Sequence, residues 1–173
     1  MAVDPVLGSN GYIEILSDEL TSHPIIRLNS SGGNVQSMIG GSYRKIVFPY
    51  LSYTDELGSN IGITTGWTTI LTRTISVPAA ARIKVHTSGW WLCNPFTSVT
   101  NVQFRILIDG TEVTRINDWA QVNNDRGNLA MYGARNVSSG NRTVTLQGIR
   151  GSTNAEFQAR SDGTVMFTEV WHR

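Results

Sequence analysis

Val102-Gln103-Phe104-Arg105-Ile106-Leu107-Ile108-Asp109-Gly110-Thr111-Glu112-Val113 is the stretch whose reading decides the fold. Apolar side chains recur at 102, 104, 106 and 108, a period of two, which gives a strand one greasy face. Asp109-Gly110 then supplies the residue types that tolerate positive φ at both centres of a type I′ turn. A two-residue loop sets Ile106 opposite Val113 and Ile108 opposite Thr111. Leu107 then faces Glu112, and Arg105 faces Thr114, on the wetter side.

Outward from this hairpin the pattern repeats. Strands are predicted over about 68–77, 82–93, 102–108, 111–117, 129–137, 141–150, 155–160 and 164–171. Small polar turns separate them, among them Asn94-Pro95, Asn123-Asn124-Asp125-Arg126-Gly127, Ser138-Ser139-Gly140 and Ser161-Asp162-Gly163. Short antiparallel strands at this spacing predict an all-β antiparallel sandwich, a jelly roll. In the last pair, a three-residue Ser161-Asp162-Gly163 loop puts Phe157 opposite Phe167 and Ala159 opposite Val165. Val165, Phe167, Glu169 and Trp171 then share one face, and Met166, Thr168 and Val170 the other.

Residues 1–60 differ in texture. Tyr12-Ile13-Glu14-Ile15-Leu16, Pro24-Ile25-Ile26-Arg27-Leu28 and Arg44-Lys45-Ile46-Val47-Phe48 are short apolar runs between loops, and Ser17-Asp18-Glu19-Leu20 reads as one helical turn at most. They hold too few apolar residues for a core of their own. Leu57-Gly58-Ser59-Asn60 reads as the joint to a head domain over 61–173. The expectation is an adaptor segment that leans on a larger body.

Only 16% of the 173 residues are charged and 17 are glycine, which favours turns and strands over surface helices. A formal net charge of +1 with scattered arginines argues against nucleic-acid binding. The N-terminus lacks a basic region followed by an apolar run, so no secretory signal is expected. No apolar stretch approaches the ~20 residues needed to cross a bilayer as a helix. Cys93 is the one cysteine and reads as a small buried hydrophobe.

The chain carries no nucleophile elbow, phosphate-cradling glycine loop or dinucleotide fingerprint. His23, His86 and His172 have no partners at metal-ligand or relay spacing, so no metal and no catalytic triad is expected. Asn123-Asn124-Asp125 offers oxygens to a calcium ion, but no acidic cluster surrounds it. No cofactor is expected. The aromatics say more. Trp90 and Trp91 are neighbours in a strand and point to opposite faces, so one lies outward, where a tryptophan marks an interface, a ligand face or a covering loop. Trp119 and Trp171, with Trp67, fall at strand ends, where sugar-binding loops also lie. Trp90, Trp91, Trp119 and Trp171 are therefore the candidate interface or ligand-facing residues.

Gly66-Trp67-Thr68-Thr69-Ile70, the run from Ile75-Ser76-Val77-Pro78 to Lys84-Val85, and Phe104-Arg105-Ile106-Leu107-Ile108-Asp109-Gly110 together form a familiar rhythm. With Asn141-Arg142-Thr143-Val144-Thr145-Leu146 and Val165-Met166-Phe167-Thr168-Glu169-Val170-Trp171, this rhythm resembles the globular heads of bacteriophage tail proteins. Those heads have a jelly roll similar to the tumour-necrosis-factor and complement C1q family and usually form trimers. The resemblance covers residues 64–173, rests on strand rhythm and turn placement, and carries no catalytic or binding residue with it. It implies a non-enzymatic virion protein, a minor tail or tail-tip protein whose head contacts a host-surface glycan or protein. Residues 1–60 would fix it to other virion proteins. A homotrimer is expected, because two partly apolar faces on the last strand exceed what a monomeric sandwich needs. A capsid decoration protein or head fibre of the same fold is the near alternative, a free carbohydrate-binding module or lectin another, and a small glycosidase on a sandwich the most distant.

Overall fold

The computed structural model describes the backbone of β1 (Val3–Leu7), β2 (Tyr12–Ser17), β3 (Ile26–Asn29), β4 (Val35–Ile39) and β5 (Ser42–Ile46), together with residues 49–152 and 155–172. The chain divides into two units, Met1–Phe48 and Pro49–Arg173. In the first, β1 to β5 form a five-stranded antiparallel meander in chain order. The apolar runs near residues 12, 26 and 44 became β2, β3 and β5. β1 escaped the sequence reading because Pro5 lies inside it, and an edge strand is where a residue without an N–H is tolerated. Ser17 ends β2, and the remainder of the expected helical turn lies outside the described residues.

The second unit contains β6 (Pro49–Glu56), β7 (Ile61–Ile63), β8 (Thr68–Val77), β9 (Ala81–Ser88), β10 (Trp90–Phe96) and β11 (Thr100–Ile108). It continues with β12 (Thr111–Ala120), β13 (Asp125–Asn128), β14 (Met131–Val137), β15 (Gly140–Arg150), β16 (Ala155–Ala159) and β17 (Val165–His172). One four-stranded sheet has the order β12-β11-β15-β8; the other two have the orders β14-β9-β17-β6 and β13-β10-β16-β7. The last two are halves of a single bent sheet, since β6 runs on into β7, β9 into β10, β13 into β14 and β16 into β17. Backbone bonds stitch the bend: Leu57 N–H donates to the Thr164 carbonyl, Leu129 N–H to that of Gly89, and Arg160 N–H to that of Trp90. Numbering these long strands one to eight along the chain, the bent sheet has the order 6-3-8-1 and the flat sheet 5-4-7-2. That is the jelly roll: an all-β antiparallel sandwich, as expected, with no helix among the described residues.

The expected strand count was reached by a different route. Residues 155–160 and 164–171 are not a hairpin. β16 pairs with β10 and β7, whereas β17 pairs with β9 and β6. Phe157 is accordingly buried, and Phe167 lies 36% exposed on the other half of the sheet. A polar turn holding a positive-φ glycine (Gly163, φ 116°) here bends one strand instead of reversing it. The missing strand is Pro49–Ile63. Leu57-Gly58-Ser59-Asn60 is its bend and not a domain joint: Leu57 is 6% exposed, and Asn60 Oδ1 accepts from Ser161 N–H at 2.9 Å.

The Asp109-Gly110 turn forms with both residues at positive φ, 51° and 73°. Ile108 faces Thr111 and Leu107 faces Glu112, but Ile106 faces Thr114 and Arg105 faces Arg115. Val113 is the extra residue of a β-bulge. It is accommodated where β14 passes closest: a Cβ built on Gly133 would lie 2.6 Å from Val113 Cγ2. At the opposite edge Asp55 on β6 makes a bidentate ion pair with Arg73 on β8, joining the first strands of the two sheets.

The core lies between the sheets, with Ile83, Val85, Trp91, Met166 and Val170 from the bent sheet against Phe104, Ile106, Val144 and Leu146 from the flat one. The bend depends on Gly89, whose φ is +154°; a Cβ there would stand 2.8 Å from the Thr164 backbone. Gly89→Ala should destabilise the fold by roughly 2–4 kcal/mol, combining strain and clash, read from urea unfolding midpoints. A chain beginning at Pro49 should unfold cooperatively at close to the full-length midpoint. One beginning at Ile61 loses β6, buried Leu57 and the partner of Arg73, and should show a much lower midpoint or no cooperative transition.

Candidate functional site

From Ala81 to Cys93, odd-numbered residues of β9 and β10 point into the core and even-numbered ones outward, and the outward face is where this structure is unusual. On the lower half, Tyr132 of β14, His86 of β9 and Phe167 of β17 stand opposite one another in register. Their rings are adjacent, with centroids 4.8 Å apart for Tyr132–His86 and 6.5 Å for His86–Phe167. Tyr132 is 50% exposed. Further along the same face, Lys84 Nζ lies 3.7 Å from the Trp171 ring centroid, and Trp171 Nε1 donates to Glu169 Oε2 at 3.3 Å.

The outward face of the flat sheet is a polar network. Arg105 donates twice to Gln147 Oε1, at 3.0 and 2.8 Å, and Gln147 Nε2 donates to Thr69 at 3.3 Å. Thr72 and Thr145 hydroxyls lie 3.3 Å apart. Arg115 donates to both Glu112 oxygens, which holds that carboxyl below the usual range and raises the guanidinium. Trp67 lies under Arg105, 3.7 Å from its Cζ to the ring centroid. Such a face is at ease in water.

Beside the bend, on the outward side of β10 and β13, a cleft of about 490 Å³ opens between Ser88, Gly89, Trp90, Arg126, Gly127 and Asn128. Trp90 is half-buried, and its Nε1 donates to the Asp162 carbonyl at 3.0 Å. Two guanidiniums approach its ring, Arg126 at 4.9 Å and Arg160 at 5.2 Å. Arg160 Nε is 3.5 Å from Asp162 Oδ1, whereas Arg126 has no carboxylate partner among the described residues. Gly127 faces the other way and lets β13 lie flat on the core: a Cβ there would meet Trp91 Cε2 at 2.4 Å.

The candidate tryptophans therefore separate. Trp90 lines the cleft. Trp91 is a core residue, 1% exposed, packed on Phe157 at 5.2 Å with its Nε1 donating to Asp118 Oδ2 at 3.2 Å. Trp171 lies on the outward face of the bent sheet's lower half, and Trp119, 52% exposed, on β12 of the flat sheet. Arg126, Arg160 and Asn128 were missed as site residues; in the sequence they are three of many polar residues in turn-like stretches. The oxygens of 123–125 serve local bonds: Asn123 Oδ1 accepts from Phe96 N–H, Asn124 Oδ1 from Asn94 Nδ2, and Asp125 Oδ2 from Gln121 N–H. Among the described residues no three metal-ligating side chains gather. His23 and the His172 side chain lie outside those described.

No protein-family model and no curated protein matches the chain. Solved structures similar to it include one of infectious bursal disease virus Gt strain, at TM-score 0.42 and 11% identity over 95% of this chain and 48% of that one. Another is the carbohydrate-binding module CBM36 in complex with calcium and xylotriose, at TM-score 0.34 and 8% identity over 68% and 87%. A third is the insecticidal delta-endotoxin Cry8Ea1 from Bacillus thuringiensis, at TM-score 0.40 and 6% identity over 64% and 19%. The chain thus spans about half of the virus protein and about a fifth of the endotoxin. Likeness at this level carries no functional argument.

Cys93 is fully buried, as its apolar flanks led us to expect, and burial, followed by the nearby Asp125 charge, raises its thiol pKa. The thiol should therefore resist a disulfide reagent at neutral pH and react fully only in denaturant, followed by release of the chromogenic thiol.

Proposed function

We propose that this is a non-enzymatic structural protein of a bacteriophage virion, a minor tail or tail-tip protein whose jelly-roll unit contacts the host surface. In this reading the jelly roll is a homotrimer closed through the outward face of β14-β9-β17-β6, and the meander of Met1–Phe48 attaches it to other virion proteins. The observation that carries the reading is the contrast between the two outward faces. One is laced by ion-paired and hydrogen-bonded side chains over most of its width, with Trp119 exposed towards the end of β12. The other sets Tyr132, His86 and Phe167 side by side with their rings in water, a surface that burial against sister subunits would stabilise. Three such faces packed about a common axis would close on themselves, as a trimer requires, whereas two faces packed against each other would give a dimer. A capsid decoration protein or head fibre would use the same face and differ in its place on the particle; proteomics of separated tails and capsids distinguishes the two.

Multi-angle light scattering on the full chain should give three times the 19.0 kDa subunit mass at micromolar concentration. A stable 19.0 kDa species would overturn the trimer. The double variant Tyr132→Glu/Phe167→Glu places charge on two exposed positions and should dissociate the assembly while leaving the β-type circular dichroism spectrum intact.

A further inference from the structure

We propose that the cleft beside Gly89 binds a sugar carrying a carboxylate, with Trp90 as the platform and Arg126 as the charge that selects it. The inference rests on the host-contacting part of the proposed function, which makes a surface glycan the source of the ligand.

The cleft, about 490 Å³, has the size of a small-molecule site. Its apolar element is Trp90, held in one orientation by the bond from Nε1 to the Asp162 carbonyl. An indole fixed in this way offers the flat apolar surface on which the C–H face of a pyranose packs, at little entropic cost. Its charged element is unbalanced. Arg126 and Arg160 both stand within about 5 Å of the ring, and Asp162 offsets one of them. The remaining guanidinium, that of Arg126, presents a planar fork of donors that fits a carboxylate with two parallel hydrogen bonds. Asn128 and Ser88, both exposed on the cleft wall, add an amide and a hydroxyl for ring hydroxyls.

The combination is what narrows the ligand. A bare inorganic anion would need the arginine but gain nothing from the indole. A neutral sugar would use the indole and the amide but leave the Arg126 charge idle. An acidic sugar uses all of them. The backbone pre-forms the site: Gly89 fixes where the strand bends, and Gly127 holds β13 against Trp91, so Arg126 and Trp90 are brought together by the fold itself.

The test is isothermal titration calorimetry on the full-length protein with sialyllactose and digalacturonate as acidic probes, lactose as the neutral probe, and inorganic phosphate. At least one acidic probe should bind saturably, and at least about tenfold more tightly than lactose or phosphate. Arg126→Gln, at an exposed position, should keep the wild-type melting temperature and weaken that binding about tenfold to a hundredfold. Trp90→Phe should weaken it too, and wild-type affinity should fall as salt is raised. Binding of neither acidic probe, equal binding of lactose or of phosphate, or an unchanged affinity in Arg126→Gln would each overturn the assignment. The mass from light scattering is independent of this result. A trimer that binds no acidic sugar refutes the cleft alone, and a monomer that binds one refutes the assembly alone.

Discussion

The passage of Thr164 against Gly89 is the contact on which the second unit depends. The third long strand, from Ala81 to Phe96, must serve two half-sheets at once, and at Gly89 the eighth strand crosses so closely that no side chain fits. Because the glycine takes up the bend, the inside–outside alternation continues through it, from Val85 and Thr87 to Trp91 and Cys93 on the inner side. That keeps Trp91 in the core against Phe157 and Asp118, and leaves Trp90 outside. The same contact hides the Thr164 hydroxyl with no hydrogen-bond partner among the described residues, an unfavourable burial that the surrounding ladder of backbone bonds offsets. The core, the cleft and the aromatic row are all placed by this one close approach.

Around that core the two sheets meet water differently. On the flat sheet Arg105 bonds Gln147 across the ladder and lies 3.6 Å from Glu112, while Glu112 and Arg115 pair along β12, so these side chains have little left to gain from a partner protein. The bent sheet has Lys84 and Glu169 in the row next to the Tyr132–His86–Phe167 row, and uses Lys84 to cover Trp171. Its aromatic rings stand side by side, tilted by 49° and 48° to one another, but not roofed. Surface tension of this kind is not a stability device for a monomer. It is the ground on which the proposed trimer assigns this face to its interface.

Much of this was legible from local pattern. The alternation at 102–108, the positive-φ pair Asp109-Gly110 and the in-out faces of 165–171 are consequences of side-chain period and turn sterics, and these act over a few residues. What could not be read depends on contacts distant in sequence. Ser161-Asp162-Gly163 has the composition of a reversing loop, but β10 and β9 capture β16 and β17 in turn, so the chain continues forward. Val113 alternates well enough to be placed in the ladder; only the empty space above Gly133 on a strand twenty residues later makes it a bulge. Pro49–Ile63 carries few core residues of its own, and becomes a strand because β17 and β16 present an open edge. The cleft was half visible. The Trp90-Trp91 pair announced an outward indole, but its partner arginines come from β13 and from the end of β16, and no spacing rule links them.

The bend also separates the aromatic row from the cleft. His86 and Trp90 project from the same side of one long strand, one before Gly89 and one after it. A face that packs against sister subunits below the bend thus leaves a cleft above it within reach of solvent, one per subunit. Single sugar sites that rely on one stacked ring and one guanidinium bind weakly, because each hydrogen bond to sugar replaces one to water. In the proposed trimer three such clefts held in fixed geometry would change the arithmetic: once one is filled, the others would meet a dense glycan layer at high effective concentration, and avidity would rise by orders of magnitude without any new contact. Weak sites and a rigid symmetric body are then parts of one solution. In the proposed trimer, firm attachment to a surface would come from the assembly, and reversibility during search from the individual cleft.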